Sequence, residues 1–221
     1  MVATAKEIKQ AEKAAAKDYW FIELIEQLGG ELQIAGLDKA AFIGFCEAHP
    51  ELLIERDQLG HMILHSPVFG GSGYRESQLI FYLVKWQKEK KEGMVFSSAV
   101  GFDLPDGSTR SPDASWLSEE RLAALSSDDI EQRFIPAVPD FIIELKSKSD
   151  SLKKLQSKMQ TTWIDNGVRL GWLIDPYKEN AYIYRADGTI DVVKNFDKSL
   201  SGETILPDFI LDLQEFRLLK K

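Results

Sequence analysis

Cysteine is nearly absent: Cys46 is the only one in 221 residues. The chain can therefore build neither an internal disulfide nor a cysteine-rich zinc site, and Cys46 reads as a small core residue in a reducing compartment. Histidine is scarce too, with three residues. His61 and His65 are bracketed by Gly60 and Pro67 on a strand-like stretch that separates them, which argues against a zinc pair there. No run approaches the roughly 20 consecutive apolar residues of a membrane helix, and no apolar stretch follows the first lysines as it would in a signal peptide. The expectation is a soluble, cytoplasmic protein with no membrane partner. An excess of positive charge is also missing, since 27 basic against 35 acidic side chains leave a net charge of −8. A surface for a polyanion must then be local.

What is present suits one compact α/β domain with decoration, because 44% hydrophobic residues can fill a sizeable core at this length. Residues 5–28 are rich in Ala, Lys and Glu and stop at Gly29-Gly30, the pattern of a helix. This divides the chain into an N-terminal helical extension over residues 1–30 and a domain over residues 31–221. Within the domain the pattern predicts a short helix over 37–50, closed by Pro50, then a strand pair (LLIER, HMILH) around Gly60. A long helix comes next, capped by Ser72, with FGGSG as a mobile loop before it. MVFSSAVGFDL and RSPDASWLS read as one antiparallel hairpin across a PDGS turn, and 119–133 as an exposed linker. After that come a short apolar strand (FIIELK), a helix running to Gly167 and a strand (LGWLID), which implies a parallel crossover. The tail carries a second hairpin across Asp187-Gly188.

Chemistry concentrates on the FIIELK strand. Side chains alternate along it, so Ile142, Glu144 and Lys146 share one face while Phe141, Ile143 and Leu145 share the other. A charged pair on a strand inside a helix-flanked sheet needs compensation for lost hydration, and a bound cation supplies it. An isolated E-x-K more often pairs with itself or with solvent at a strand end. A second acid changes that balance: SPDASW offers Asp113 on a neighbouring extended segment, where two carboxylates can converge on one ion. Magnesium takes oxygen ligands and keeps several waters, so two carboxylates, a backbone carbonyl and a DNA phosphate oxygen are a sufficient set. Lys146 beside such an ion could orient the attacking water and offset charge in the transition state. Asp140 is no substitute for Asp113, because it lies roughly 13 Å from Glu144 along the same strand. It reads as the acid at the strand's start.

Other features invite weaker readings. Glu76, in the first turn of the long helix, could add a third carboxylate, although the helix dipole already explains an acid there. Of the helix after FIIELK, Lys158 and Gln160 are better placed to face phosphates than Lys153 or Lys154, which suit a solvated face. Among five tryptophans, Trp163 and Trp172 fall at core-facing positions and Trp116 sits beside the candidate site. The glycine-rich FGGSG lacks the lysine and spacing of a P-loop.

Together, GYRESQ, RSPDASWLS and the stretch from VPDFIIELK to AYIYR closely resemble the Uma-type family of bacterial putative restriction endonucleases, over roughly residues 37–213. That family lies within the PD-(D/E)XK nuclease superfamily. The resemblance implies a restriction-endonuclease-like mixed central β-sheet flanked by helices. It also implies that Asp113 and Glu144 bind a divalent ion, that Lys146 is the catalytic lysine, and that Gln160 lies on the adjoining active-site helix. Glu76 is carried over as a further metal ligand. Many relatives carry Arg at the position of Lys146. The implied activity is a metal-dependent DNA endonuclease using Mg2+, or Mn2+, with DNA as partner; apart from the resemblance, a homodimer would make double-strand cleavage natural. Two alternatives stay open: a non-catalytic module of the same fold binding nucleic acid or a protein, and a hydrolase of small phosphoesters.

Overall fold

The computed structural model describes residues 31–34 and 37–219, with side chains from residue 37 onward. The helix expected over residues 5–28 lies outside the described residues. The chain divides into two compact units. One runs to Ile54 and includes Gly60–Pro67; the other holds Glu55–Leu59 and everything from Val68.

In the first unit, β1 (Glu31–Ile34) pairs antiparallel with a later strand. The helix α1 (Lys39–Ala48) starts where the Asp38 carboxylate accepts from the Ala41 amide at 2.8 Å, so the cap fixes its first turn. Cys46 on this helix is half-buried rather than a core residue, and burial pushes its thiol up. β2 (Leu53–Arg56) begins in this unit, and β3 (Met62–His65) is the partner of β1, with Leu32 opposite Leu64.

The second unit opens with α2 (Gly70–Lys90). Its start differs from the sequence expectation: Phe69 is the N-cap, and Ser72 lies inside the first turn, buried, so GGSG is helix rather than loop. Three glycines in one turn are poor helix formers, and packing overrides propensity here. The stretch expected as one hairpin breaks into two pairings. β4 (Met94–Ser97) pairs with β7 (Ala114–Leu117), while β5 (Phe102–Asp103) pairs with β6 (Thr109–Arg110), and Arg56 at the end of β2 pairs with Thr109. A turn closed by the Val100 amide on the Ser97 carbonyl ends β4 and causes the split. The supposed linker holds two short helices, α3 (Glu119–Leu122) and α4 (Ser127–Glu131). Ser118 and Ser126 cap them, and Ser126 forms a capping box with Asp129.

β8 (Phe141–Leu145) is buried along its whole length. After it, α5 (Leu152–Lys158) runs straight into a π-helical stretch, Met159–Ile164, and then β9 (Leu170–Asp175). β9 lies parallel to β8, with Ile143 opposite Trp172, so the expected crossover is present. β10 (Asn180–Arg185) and β11 (Ile190–Lys194) form the expected second hairpin, and β12 (Ser199–Ser201), β13 (Ile210–Asp212) and a 3-10 turn close the chain. The result is a mixed six-stranded sheet ordered β11-β10-β9-β8-β7-β4, in which β8 and β9 are the parallel pair.

Alternation along β8 separates two cores. Phe141, Ile143 and Leu145 pack with Leu79, Leu83 and Trp86 of α2, whereas Ile142 packs with Met159 and Trp163 of the π segment. Gly171 permits the second contact, since a Cβ there would stand 2.7 Å from the Met159 Cε. Each large side chain buried in these two cores contributes roughly 1.5–3 kcal/mol before entropy is counted. Trp163 and Trp172 are both fully buried. Trp116 also belongs to the core, edge-on to Trp86 at 5.5 Å with its Nε1 donating to the Glu92 carbonyl. Trp116, which the sequence places beside the candidate site, is thus held in the core like the other two.

Candidate active site at the end of strand β8

Continuing the β7–β8 register, in which Ala114 faces Ile143, brings Asp113 opposite Glu144. Directly opposed residues stand about 5 Å apart at Cβ. Asp113 is further fixed by the Leu145 amide, which donates to its Oδ2 at 2.5 Å. Glu76, from the second turn of α2, shares a hydrogen bond with Asp113. Three acids from three elements thus meet where β8 ends.

Their electrostatics follow from crowding. Burial raises the Asp113 carboxyl well above the ordinary carboxylate range, the charges of Glu144 and Glu76 raise it further, and the Leu145 amide and Lys158 offset only part. Burial likewise raises Glu76; its hydrogen bond with Asp113 opposes this and the Glu144 charge adds to it. Each of these two carboxyls therefore favours its neutral form more than a free one does.

Glu144 is 4% exposed, and its Oε1 receives two donors: the Lys158 ammonium at 2.7 Å and the Trp163 indole N–H at 2.7 Å. The π segment brings both to one oxygen. The Asp165 amide bonds the Gln160 carbonyl at 2.9 Å, and the Val168 amide bonds the Trp163 carbonyl at 3.0 Å, in the wider π pattern. Single π turns of this kind recur at functional sites.

Lys158 stands between two acids. Its Nζ is also 3.6 Å from Oε1 of Glu55, a 2% exposed residue that Arg110 Nε approaches at 3.0 Å and that accepts from the Ser111 amide at 2.8 Å. Burial alone would lower the Lys158 ammonium, but Glu144 and Glu55 outweigh it and hold it above its ordinary value.

The five site residues implied by the resemblance therefore fall into two groups. Asp113, Glu144 and Glu76 come together. Lys146 and Gln160 do not join them in a hydrogen bond: Lys146 Nζ donates to the Ser147 carbonyl at 2.8 Å and lies 5.1 Å from the Tyr177 ring centre, and Gln160 donates to Asp165 at 2.8 Å. The ammonium against Glu144 is that of Lys158. Sequence reasoning missed Glu55, which lies far from SPDASW in the chain, and Arg110, which directly precedes it, and it took Trp163 as core alone. Asp140 is structural, as expected: 1% exposed, it pairs with Arg121 and Arg169 and accepts from the Ser118 amide at 2.8 Å.

As a donor set the site offers carboxylate oxygens and no sulfur or imidazole, the choice of a hard cation. Among the described residues no three acidic, histidine or cysteine side chains are arranged as a ready-made ligand shell. Two carboxylates still suffice for an ion that keeps most of its water. Glu144 Oε2 receives no hydrogen bond among the described residues, and the surplus negative charge around Asp113 is what a cation would relieve.

Such a sheet and flanking helices define the nuclease fold shared with a putative nuclease belonging to DUF820 from Anabaena variabilis. That crystal structure matches with a TM-score of 0.64 at 19% identity, covering 75% of this chain and 90% of that one. A family model described as putative restriction endonuclease, Uma2, matches residues 41–214, and the chain belongs to this family. No curated protein matches it. Among the described residues, no helix is long and apolar enough to cross a membrane.

Proposed function

We propose that the chain is a metal-dependent DNA endonuclease that hydrolyses phosphodiester bonds by attack of water. The observation that carries this reading is the meeting of Asp113 and Glu144, from two paired strands, in a place too crowded with acid for Asp113 to ionise normally. Asp113 and Glu144 would hold Mg2+ or Mn2+, with Glu76 as a further oxygen donor. When bound, the ion supplies positive charge at the scissile phosphate and acidifies water. Lys158 and Trp163 occupy Oε1 of Glu144, which fixes the rotamer and presents Oε2. Lys146, at the end of the same strand, is the candidate to orient water and offset charge, by swinging from the Ser147 carbonyl. Gln160, on the adjoining turn, would contact the substrate. A homodimer in a cytoplasmic setting would suit cleavage of both strands.

The test is cleavage of supercoiled plasmid with Mg2+ or Mn2+ by the wild type and by folded Asp113→Ala. Nicking by the first alone is expected; equal products from both, or none from either across metals and sequences, would end the proposal. A second reading, a non-catalytic module of this fold, is favoured by Lys158, which already neutralises Glu144 without a metal. Calorimetric titration separates the two, since the module predicts no Mg2+ uptake that Glu144→Gln alters.

A further inference from the structure

We propose that Arg75 and the open first turn of α2 form a phosphate-binding site beside the carboxylate cluster. Arg75 is 3% exposed, and its Nε is sealed from solvent with no hydrogen-bond partner. No carboxylate among the described residues pairs with it. A guanidinium stays ionised in a protein, and a buried one without a counter-charge is costly, so the site is built to receive an anion.

The guanidinium is folded back over the start of its own helix. Its two terminal nitrogens and its central carbon lie 3.6, 3.7 and 4.0 Å from where a Cβ on Gly71 would stand, while nothing lies within 4 Å of the corresponding point at Gly70. At this end the helix has no side-chain cap and no acid in its first turn. The Ser72 and Gly73 amides bond the Phe69 carbonyl, which leaves those of Gly70 and Gly71 without an acceptor among the described residues. The other four α-helices among the described residues are each capped by an Asp or Ser side chain. Unpaired amides, the positive end of a 21-residue helix and a planar guanidinium fork converge on one spot. Glycine at 71 makes room for the guanidinium, and the open space beside Gly70 is where an oxyanion would sit.

Phosphate is the anion these groups fit, because the fork and the amides together present more donors than a carboxylate can use. Its place in a nucleic acid rests on the nuclease reading: Glu76, the residue after Arg75, is hydrogen-bonded to Asp113. A phosphate held here would position the strand against the cluster, which makes Arg75 a substrate-binding residue.

The experiment uses the full chain in EDTA, so that nothing is cleaved, with inorganic phosphate and with tetranucleotides carrying a 5′-phosphate or a 5′-hydroxyl. Phosphate should raise the melting temperature of the wild type but not of Arg75→Met. Oligonucleotide affinity should fall at least tenfold in Arg75→Met and less in Arg75→Lys. Gly70→Asp places a carboxylate in the open turn and should give the same loss in a folded protein, so it decides the matter if Arg75→Met folds poorly. A tenfold preference for the 5′-phosphate that Arg75→Met erases would assign a terminal monoester; equal binding of both, still dependent on Arg75, would assign an internal diester. Wild-type affinity in both Arg75→Met and Gly70→Asp, or no response of the wild type to phosphate, overturns the proposal. Phosphate binding without plasmid cleavage under any metal would sink the nuclease reading and leave this site standing.

Discussion

The two ends of strand β8 treat a carboxylate in opposite ways. At its start, Asp140 is nearly sealed, and Arg121, Arg169 and the Ser118 amide all point at it; Arg121 also donates to the carbonyls of Val138, Pro139 and Gly167. At its finish, Asp113, Glu144 and Glu76 crowd together, and Lys158 with Trp163 answers one oxygen of one of them. A carboxylate answered at both oxygens ties loops to a sheet. A cluster left short of positive charge holds free energy that a ligand can release, which is why such clusters mark sites of chemistry.

The sharpest way to break this contrast is to remove an acid at each end. Asp113→Ala or Glu144→Gln should lower plasmid cleavage by about a thousandfold, roughly 4 kcal/mol of transition-state stabilisation, while circular dichroism stays that of the wild type. Asp140→Ala should do the reverse. Removing the acceptor that the Ser118 amide and two partly exposed guanidiniums share costs about 1–3 kcal/mol of folding stability, read from urea denaturation, and activity should fall only as far as the folded fraction does. If Asp140→Ala were neutral and Asp113→Ala unfolded the protein, the two ends would have to exchange roles.

Lys158 refines the comparison. As the counter-charge already on Glu144, it competes with any cation there, so Lys158→Met should tighten Mg2+ binding by about tenfold, roughly 1.4 kcal/mol, in calorimetry. Unchanged or weaker binding would make Lys158 an organiser of Glu144 rather than a competitor.

The smallest effect concerns protons. Asp113 and Glu76 are raised in the folded state, so their contribution to stability is complete below the ordinary carboxylate range and is lost as pH rises through the raised values. The metal-free protein should then be destabilised by these groups near neutrality, and Asp113→Asn should recover about 1–2 kcal/mol. Because a cation competes with protons for carboxyls whose values are raised, its affinity should climb over the same pH interval. A melting profile for Asp113→Asn that tracks the wild type across that interval would contradict the coupling.

Period and punctuation made much of this legible from residues alone. The odd and even faces of FIIELK sort into separate cores, the helix after it leads to a parallel partner, and SPDASW puts its acid opposite the glutamate. What escaped were features without a local signature. GGSG looks like a loop because glycine resists helix, and only packing makes it one. The 94–117 stretch has hairpin chemistry throughout, but a turn at Ser97 to Val100 divides it. The lysine against Glu144 comes from a helix, not from the adjacent strand position, because the identity of a cross-element neighbour is a tertiary fact. Glu55 reaches Lys158 from another strand altogether.

The π stretch bears on how this molecule tolerates change in chain length. A helix wound wider over Met159–Ile164 carries a residue more than an α-helix of equal span. Excising one residue between Lys158 and Trp163 would restore ordinary winding and leave the two four positions apart, about 40° around the cylinder, where both still face one oxygen. The same gap within Leu152–Lys158 would instead turn the residues before it by about 100°. The wide turn is where this helix absorbs a change of length without releasing the glutamate.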